Sequence, residues 1–294
     1  MAEISAITVL RESDKASRIA FVKKDHWFPY ARANELLRKL KALLDHPKTY
    51  RMPNLAVVGR SNAGKTMLLH EFERRHCPSD RPLRETASIP VLFVEAPPQA
   101  DRRELYNAIL DALRIPYKIT ENPGRKLSTL LHIMTEVNVQ MMILDETSQA
   151  TALHRKQLTL FYNSIKHIGN RLRIPIIIGG TEAAATALKN EPELANRFDV
   201  EVLNTWHLDN AFLSLLKTMG ERSVLREPVK LATPQVAPLL YGLSEGILGE
   251  LVRLLRLATI RAIETGGEEI TPDLIRSIDW TPPSTRKLRL GGIS

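Results

Sequence analysis

Apolar residues recur along this chain in two patterns, short continuous runs and longer helical repeats. Five apolar runs stand between helical segments, at NLAVVG, IPVLFVEA, QMMILDE, RIPIIIGG and DVEVL. Continuous apolar runs of this length are typical of strands whose two faces are both covered by helices. The segment Asp101–Arg114 places Leu105, Ile109 and Leu113 on one helical face. The pattern predicts a mainly parallel, five-stranded α/β sheet with right-handed crossovers.

The apolar runs stop after about residue 206, and only helical patterns follow. The segments TPQVAPLLYGL, ILGELVRLLRLATIRAIETG and TPDLIRSI have proline or glycine at their ends, as helices commonly do. We therefore expect an α/β domain over residues 31–205 and a small helical domain over residues 206–279.

The two ends of the chain lack a clear core pattern. Residues 1–30 show weak periodicity and predict an irregular arm, whose aromatic residues Trp27, Phe28 and Tyr30 would pack on the main domain. Residues 280–294 contain a proline pair and several basic side chains, and they predict a flexible tail. The basic side chains of this tail either contact a partner or aid solubility.

Composition narrows the class of protein. The 294 residues carry 41 Lys and Arg against 33 Asp and Glu, a formal net charge of +8, which favours a polyanionic partner such as nucleic acid. The single cysteine, Cys77, excludes a disulfide framework, and no Cys/His cluster has zinc-site spacing. No apolar run approaches the roughly 18 residues needed to span a bilayer. We expect a cytoplasmic protein with no membrane partner.

The most specific motif is a phosphate-binding loop between the first apolar run and the next helix. The sequence satisfies G-x-x-x-x-G-K-[ST] at Gly59, Gly64, Lys65 and Thr66. In this motif backbone amides wrap the phosphates, the lysine neutralises them and the hydroxyl reaches magnesium. The motif follows a predicted strand and begins a helix, so the helix N-terminus would face the anion. The residues expected to bind the nucleotide are Gly59, Arg60, Ser61, Asn62, Ala63, Gly64, Lys65, Thr66, Met67 and Asp145.

The third apolar run ends in two adjacent acids, Asp145 and Glu146. Beside a phosphate loop, Asp145 would hold Mg²⁺ together with Thr66, and Glu146 would polarise the attacking water. A signalling GTPase more often positions its water with glutamine, and no N-K-x-D sequence for guanine occurs. The pair therefore predicts nucleotide hydrolysis, and the alternative is two exposed acids at a strand end.

Two further residues follow or precede predicted strands. Thr181 comes after the fourth run, and in a sheet of strand order 5-1-4-3-2 it would lie near the γ-phosphate. Alternatively, Thr181 caps the helix that begins at Glu182. Arg197 precedes the fifth run, at the domain edge rather than in the pocket. It would complete a neighbouring subunit's site as an arginine finger, or remain a solvated loop arginine.

The phosphate loop, the strand-end LDE and GGT sequences, Arg197 and the C-terminal helices together resemble an AAA+ ATPase with a helical lid. The segments VVGRSNAGKT, IPVLFVEAPPQADRRELYNAIL, MMILDE, IPIIIGGTEAA and LANRFD are similar to the TniB family of transposition proteins, relatives of the TnsC regulators. The resemblance runs from about Trp27 to Ile278. It implies an ATP-dependent oligomer that engages target DNA and recruits or activates a DDE transposase.

The resemblance also implies a role for each site residue. ATP and Mg²⁺ would be bound by Lys65 and Thr66, with Asp145 supporting Mg²⁺, Glu146 as catalytic glutamate, Thr181 as first sensor and Arg197 as the finger in trans. One position departs from the family, since Glu250 stands where related proteins place a sensor arginine, and the next arginine is Arg253. Hydrolysis is therefore expected to be slow and to be stimulated by DNA or by assembly.

Sequence-independent binding of double-stranded DNA requires basic groups that face phosphates. Arg102 and Arg103 begin the helix after the second run, where their side chains and the helix amides would address a DNA backbone together. In filaments of TnsC-like proteins the corresponding region faces DNA. The next loop adds the supporting candidates Lys118, Thr120, Arg125 and Lys126. Charged residues at such positions are otherwise simply solvated.

The predicted function is an ATP-gated ring or filament on duplex DNA that presents a platform to a transposase and is dismantled by hydrolysis. Two alternatives remain open. A helicase-loading chaperone would form a stable complex with a hexameric helicase and would bind little bare duplex. A nucleotide-dependent scaffold would show negligible turnover, which Glu250 favours and the intact Lys65, Asp145 and Glu146 oppose.

Overall fold

The computed structural model describes residues 2–77, 88–99, 101–147, 155–189 and 196–286. Within these ranges the chain forms two compact units. One unit is Glu35–Leu203, and the other joins the described residues of Met1–Asn34 to those of Asn204–Ser294. No helix in the described ranges is both long enough and apolar enough to cross a membrane.

Helices and strands alternate through the middle of the chain, and helices occupy both ends. The described helices are α1 (Ala2–Arg11), α2 (Lys15–Val22), α3 (Ala31–Leu44), α4 (Lys65–His76), α5 (Arg102–Ala112), α6 (Pro123–Glu136), α7 (Arg155–Leu172), α8 (Glu182–Lys189), α9 (Asn210–Glu221), α10 (Ala237–Ser244), α11 (Leu248–Thr265) and α12 (Pro272–Arg276). The strands are β1 (Asn54–Gly59), β2 (Val91–Glu95), β3 (Met141–Asp145), β4 (Ile176–Gly180) and β5 (Phe198–Leu203).

All five strands are parallel and pair in the order β2-β3-β4-β1-β5. This confirms the predicted parallel sheet and the strand order 5-1-4-3-2, which is the same order read from the opposite side. Gly59 ends β1, Asp145 ends β3 and Gly180 ends β4. Because the strands are parallel, the phosphate loop, the acidic pair and Thr181 all lie at the carboxyl edge of the sheet.

The sheet strands are apolar throughout because they are buried. Every residue of β3 and of β4 is buried. One core cluster combines Leu92 of β2 and Leu144 of β3 with Leu105 of α5 and Phe161 of α7. Burying one such leucine contributes about 1.5–3 kcal/mol. The packing therefore fixes the strands and, with them, the positions of the polar residues at their ends.

The starts of two helices in this unit are fixed by side-chain caps. The Asp101 carboxylate accepts hydrogen bonds from the amides of Arg103 and Glu104, at 2.6 and 3.2 Å, and so begins α5. The Asn122 side chain accepts a hydrogen bond from the amide of Gly124 at 2.7 Å and begins α6. Such caps satisfy amides that lack a partner within the helix.

The second unit has a core of its own, formed by N-terminal and C-terminal helices. Ile7 of α1 is buried in one cluster with Phe212 of α9 and Leu254 of α11. Arg18 of α2 is 1% exposed and donates hydrogen bonds of 2.7 and 2.8 Å to the Glu268 carboxylate. These bonds lower the pKa of Glu268. The ion pair thus ties the N-terminal helices to the C-terminal ones.

The prediction of an irregular arm over residues 1–30 was wrong. The segment forms α1 and α2, and the Asp14 carboxylate caps α2 by accepting a hydrogen bond from the Ser17 amide at 2.8 Å. Phe28 and Tyr30 are partly buried and pack against the core that contains the C-terminal helices, whereas packing on the main domain was expected. The local pattern is weak because the partners of these residues lie far along the chain.

The prediction of a flexible tail over residues 280–294 is wrong for the first part of that segment. The Trp280 indole donates a hydrogen bond of 2.9 Å to the carbonyl of Leu243. Arg286 forms an ion pair with Glu250, and its guanidinium lies 5.3 Å from the centre of the Trp280 ring. The tryptophan therefore anchors this segment. Residues 287–294 lie outside the described residues.

Candidate functional site

The backbone of the phosphate loop requires its glycines. A side-chain Cβ at Gly59 would lie 2.4 Å from the carbonyl oxygen of Leu203 on the neighbouring strand β5, which leaves room only for hydrogen. Gly64 has a φ of 90° and Asn62 a φ of 67°, both in the left-handed region. Glycine adopts this region without the strain that a Cβ brings, and asparagine tolerates it better than most residues. The loop conformation thus follows from the residue types of the motif.

The N-terminus of α4 faces the loop, and no capping side chain accepts hydrogen bonds from its first backbone amides. Its N-cap residue is Gly64, which has no side chain to accept their hydrogen bonds. In α5, by contrast, the Asp101 side chain accepts hydrogen bonds from the first backbone amides. Uncapped amides and the positive end of the helix dipole together form a binding site for an anion such as phosphate. Thr66, in the first turn, is exposed.

The Lys65 side chain lies within the loop. Its ammonium donates hydrogen bonds to the carbonyl oxygens of Gly59 and Arg60, at 3.1 and 2.9 Å. Burial lowers the pKa of Lys65, while the nearby carboxylates of Asp145 and Glu146 oppose that shift. A phosphate in the loop would add negative charge and favour the protonated lysine further.

Asp145 is the most unusual polar group of the site. It is 2% exposed, and both of its carboxylate oxygens are buried without a hydrogen-bond partner among the described residues. A buried carboxylate without partners is costly, so it marks a place where a cation or its bound water completes the structure. A carboxylate oxygen is also a ligand that Mg²⁺ prefers. The residue therefore fits the magnesium role expected from the sequence.

Two residues that were not predicted as site residues shape the surroundings of Asp145. A Cβ at Gly179 of β4 would lie 2.0 Å from Asp145 Oδ1, so only glycine leaves space for the carboxylate. The buried Thr147 hydroxyl donates a hydrogen bond of 2.9 Å to the Gly179 carbonyl and joins the end of β3 to β4. Paired glycines at the end of a buried strand were the available signal, because such glycines often mark a close approach.

Glu146 differs from its neighbour in both exposure and backbone. It is exposed, whereas Asp145 is buried, and its φ of 59° places it in the left-handed region. A non-glycine residue there costs roughly 1–2 kcal/mol, and such strain is concentrated at functional sites. The two adjacent carboxylates thus occupy different environments, one suited to a metal ion and the other to a water molecule.

The strand order places Thr181 beside this group. Thr181 directly follows β4, which lies between β1 and β3 in the sheet. Its carbonyl oxygen accepts a hydrogen bond of 3.0 Å from the Ala184 amide in α8. Both expected roles, helix start and γ-phosphate sensor, fit this position.

Arg197 lies at the opposite edge of the same sheet. It directly precedes β5, and its guanidinium donates a hydrogen bond of 2.9 Å to the side-chain oxygen of Asn170, at the end of α7. The preceding residue is held as well, because Arg51 donates to the carbonyl of Asn196 at 2.7 Å. Arg197 is therefore an edge residue, as expected, and lies across the sheet from the phosphate loop of its own chain.

The residues expected to contact DNA fall into two groups. Arg102 and Arg103 are exposed in the first turn of α5, but the amides of Arg103 and Glu104 are already bonded to Asp101. These two amides are therefore not free to address a DNA backbone, and the DNA contact of the two arginine side chains stays a prediction. The second group has exposed Lys118 and Thr120 in the loop between α5 and α6, and exposed Arg125 in the first turn of α6.

Lys126 does not belong to that exposed group, and its expected DNA contact was wrong. It is 0% exposed and donates a hydrogen bond of 2.6 Å to the side-chain oxygen of Asn107. The ammonium also lies 4.5 Å from the centre of the Tyr117 ring. The reason is helical spacing, because Lys126, Leu130 and Met134 recur every four residues on the buried face of α6.

In the second unit, the position of the expected lid arginine carries a paired acid. Glu250 is 8% exposed and forms an ion pair with Arg286. Arg253 lies one turn further along α11, with its guanidinium 5.5 Å from the centre of the Trp280 ring. Both groups are thus engaged inside this unit.

Comparison with known proteins agrees with the geometry. The family model described as "Bacterial TniB protein" matches residues 18–208. The chain belongs to the TniB family. Among curated protein sequences, none matches it. TniB membership and the P-loop AAA+ fold of the sheet thus agree with each other.

Solved structures show the same fold at low sequence identity. The ORC2 protein of Aeropyrum pernix, in ADPNP–ADP complexes, has a TM-score of 0.66 at 17% identity and covers 94% of this chain and 74% of its own. Cdc6p of Pyrobaculum aerophilum has a TM-score of 0.61 at 17% identity, with coverages of 93% and 72%. The A. pernix ORC1 protein in complex with DNA has a TM-score of 0.59 at 17% identity, with coverages of 92% and 68%. At such identities the likeness concerns the fold.

Proposed function

We propose that this TniB protein is an ATP-gated, DNA-binding regulator of transposition, which oligomerises on target DNA and recruits or activates a DDE transposase. One observation supports the nucleotide part most directly. The Asp145 carboxylate is buried without a hydrogen-bond donor among the described residues, beside a phosphate loop whose helix has no side-chain cap. A magnesium–ATP complex would satisfy both groups, because it brings a cation to the carboxylate and an anion to the amides.

Each residue at the carboxyl edge has one task in hydrolysis. The loop amides and Lys65 hold the phosphates, while Thr66 and Asp145 hold the metal ion. Mg²⁺, when bound, neutralises charge on the β- and γ-phosphate oxygens. Glu146 accepts a proton from the attacking water, so that ATP and water yield ADP and phosphate. Thr181 orients the γ-phosphate or the water.

Arg197 makes the site depend on assembly. It lies at the amino edge of the sheet and its own phosphate loop lies at the carboxyl edge, so it serves the loop of a neighbouring subunit. A ligand held between subunits stabilises the assembled state over the free subunits. ATP therefore acts chiefly as an assembly switch, and hydrolysis returns the protein to separate subunits.

DNA binding rests on exposed positive charge. Exposed guanidinium and ammonium groups come from Arg102 and Arg103 on α5, Lys118 in the following loop and Arg125 in the first turn of α6, and Thr120 adds a hydroxyl. Groups of this kind bind phosphates without reading bases, and an oligomer repeats them along a duplex. We therefore propose binding that is largely independent of DNA sequence.

A scaffold with negligible turnover is the second candidate function. Glu250 supports it, since a carboxylate paired with Arg286 stands where related proteins have a sensor arginine. With slow hydrolysis, the oligomer would stay on DNA until its ATP is hydrolysed. With no hydrolysis, the oligomer would need another way to leave the DNA. A measured rate of ATP turnover with and without duplex DNA distinguishes the two.

Electron microscopy of the purified protein with duplex DNA tests the proposal. We expect rings or filaments on DNA with a slowly hydrolysed ATP analogue, and separate subunits with ADP or without nucleotide. Arg197→Ala should prevent assembly, while Arg261→Ala, which removes an equal charge from an exposed position on α11, should not. Monomers in all three conditions would contradict the proposal. A stable complex with a hexameric helicase, with little bare-duplex binding, would favour a helicase loader instead.

A further inference from the structure

The loop between α5 and α6 carries an exposed apolar residue in an unusual place. The amide of Glu121 donates a hydrogen bond of 3.0 Å to the carbonyl of Lys118, which closes a turn with Ile119 and Thr120 at its centre. Ile119 is 80% exposed. Central turn positions favour Gly, Pro, Asn, Asp and Ser, and a β-branched apolar residue gains nothing there from the fold. The turn therefore presents the isoleucine side chain to solvent at its tip.

A buried ammonium group supports this turn from beneath. Lys126 Nζ donates to the Asn107 side chain at 2.6 Å and to the carbonyl of Ile119 at 3.4 Å. The Tyr117 ring covers the same ammonium at 4.5 Å, and its hydroxyl donates to Asp111 at 3.1 Å. Burying a lysine is costly unless its donors are satisfied. The buried Lys126 ammonium thus lies where its hydrogen bond fixes the backbone of the exposed Ile119.

The groups around Ile119 suit one partner, a DNA groove. Lys118, Thr120 and Arg125 are exposed beside it, and Glu121 is half-buried. Phosphates line the walls of a groove, the sugars between them offer apolar surface, and the base edges on its floor carry hydrogen-bonding groups. The minor groove is only about 6 Å wide and so admits a tip one residue wide. Proteins that bind there commonly place Ile, Leu, Phe or Met against the base steps.

We propose that the turn from Lys118 to Glu121 enters the minor groove of duplex DNA, with Ile119 in apolar contact with the sugars and base steps inside the groove. Lys118 and Arg125 meet the phosphates on its walls, and Lys126 acts as a positioning residue that holds the turn rigid. This inference rests on the proposed DNA binding and adds to it a contact that is not electrostatic.

A matched pair of substitutions isolates the apolar contact. Ile119→Val and Ile119→Thr have nearly the same shape and the same β-branch, and they differ in a methyl group against a hydroxyl. We expect the threonine variant of the full chain to bind an A·T-rich duplex about fivefold more weakly than the valine variant. The slope of log affinity against log salt should be unchanged in both, whereas Lys118→Gln should reduce the slope by about 0.9.

The same two variants test whether Ile119 contacts the minor groove and whether its partner is DNA. Saturating the duplex with netropsin, which fills the minor groove, should abolish the difference between Val and Thr. A difference that persists with netropsin, or that appears in ATP-dependent assembly without DNA, would overturn the inference. Equal binding by the two variants would overturn it as well. A wild-type protein that binds no duplex would instead contradict the proposed function.

A second variant tests the role of Lys126. In a Lys126→Met background the turn loses its support, so we expect the difference between Ile119→Val and Ile119→Thr to shrink to less than about twofold. Thermal unfolding checks that the background remains folded. A difference of full size in a folded Lys126→Met protein would show that Lys126 does not position the turn.

Discussion

The two edges of the central sheet contrast sharply in how their polar groups are satisfied. At the carboxyl edge, the Asp145 oxygens have no hydrogen-bond partner among the described residues. At the amino edge, the Asn54 side chain accepts a hydrogen bond of 2.8 Å from the Ile176 amide, and Arg197 donates to Asn170 at 2.9 Å. The carboxyl edge thus keeps polar groups available to a ligand, while the polar side chains named at the amino edge are already hydrogen-bonded. In the proposed function, the two edges complete one site for phosphoryl transfer between neighbouring subunits.

The largest effect is expected from the amino edge. Arg197→Ala should lower kcat for ATP hydrolysis about 10³-fold, because the guanidinium stabilises charge in the transition state of a neighbouring subunit. Nucleotide binding by the separate subunit should remain, since Arg197 lies away from its own phosphate loop. Steady-state turnover with duplex DNA and binding of a fluorescent ATP analogue measure the two. Undiminished turnover would show that Arg197 is a solvated loop residue.

At the carboxyl edge, Glu146→Gln should lower kcat about 10²-fold or more, because it removes the proton acceptor and keeps the shape of the side chain. Assembly on DNA should persist, since the residues that hold ATP are intact. Turnover and electron microscopy of the same preparation check both expectations. If this variant hydrolyses ATP at the normal rate, the base lies elsewhere.

A glycine substitution tests the partnerless carboxylate. Gly179→Ala should weaken Mg²⁺-dependent ATP binding about tenfold, because the new Cβ would displace Asp145 and positioning neighbours of metal ligands have effects of this size. Gly242→Ala is the matched control, since a Cβ there meets nothing within 4 Å. ATP titrations with Mg²⁺ and with EDTA compare the variants. The account fails here if Gly179→Ala and Gly242→Ala bind Mg²⁺–ATP alike.

The smallest effect concerns the orientation of the arginine. Asn170→Ala removes an exposed hydrogen bond to Arg197, and we expect kcat to fall about threefold while stability stays the same. Asn170→Gln, which keeps an amide oxygen, should recover part of the loss. A loss of thermal stability without any change in kcat would mean that Asn170 supports the fold and not the arginine.

The residues at the carboxyl edge could be predicted from the sequence because each motif can be recognised from a few neighbouring residues. Each motif ends an apolar run, and parallel strands bring the ends of such runs together. Gly179 and Thr147 were missed because their importance arises only when β3 and β4 lie side by side. Lys126 was placed at the surface for its charge, although its helical spacing with Leu130 already indicated the core.

The N-terminal helices escaped prediction for the related reason that distant contacts define them. Arg18 of α2 has its partner in Glu268, and Arg11 donates a hydrogen bond of 3.0 Å to the carbonyl of Ser223. A window of neighbouring residues contains neither partner. The role proposed for Arg197 rests on its place before the last strand and on the resemblance to a family, because the sequence around it contains no nucleotide-binding motif.

The central claim is that the two sheet edges form one catalytic site only between subunits. Mixing Glu146→Gln with Arg197→Ala tests it most directly, with ATP turnover measured on duplex DNA across all mixing ratios. Each variant alone should be nearly inactive. In mixed oligomers an Arg197→Ala subunit keeps Glu146 and receives Arg197 from its neighbour, so turnover should rise to a maximum at intermediate ratios. Co-assembly with no recovery at any ratio would contradict the account.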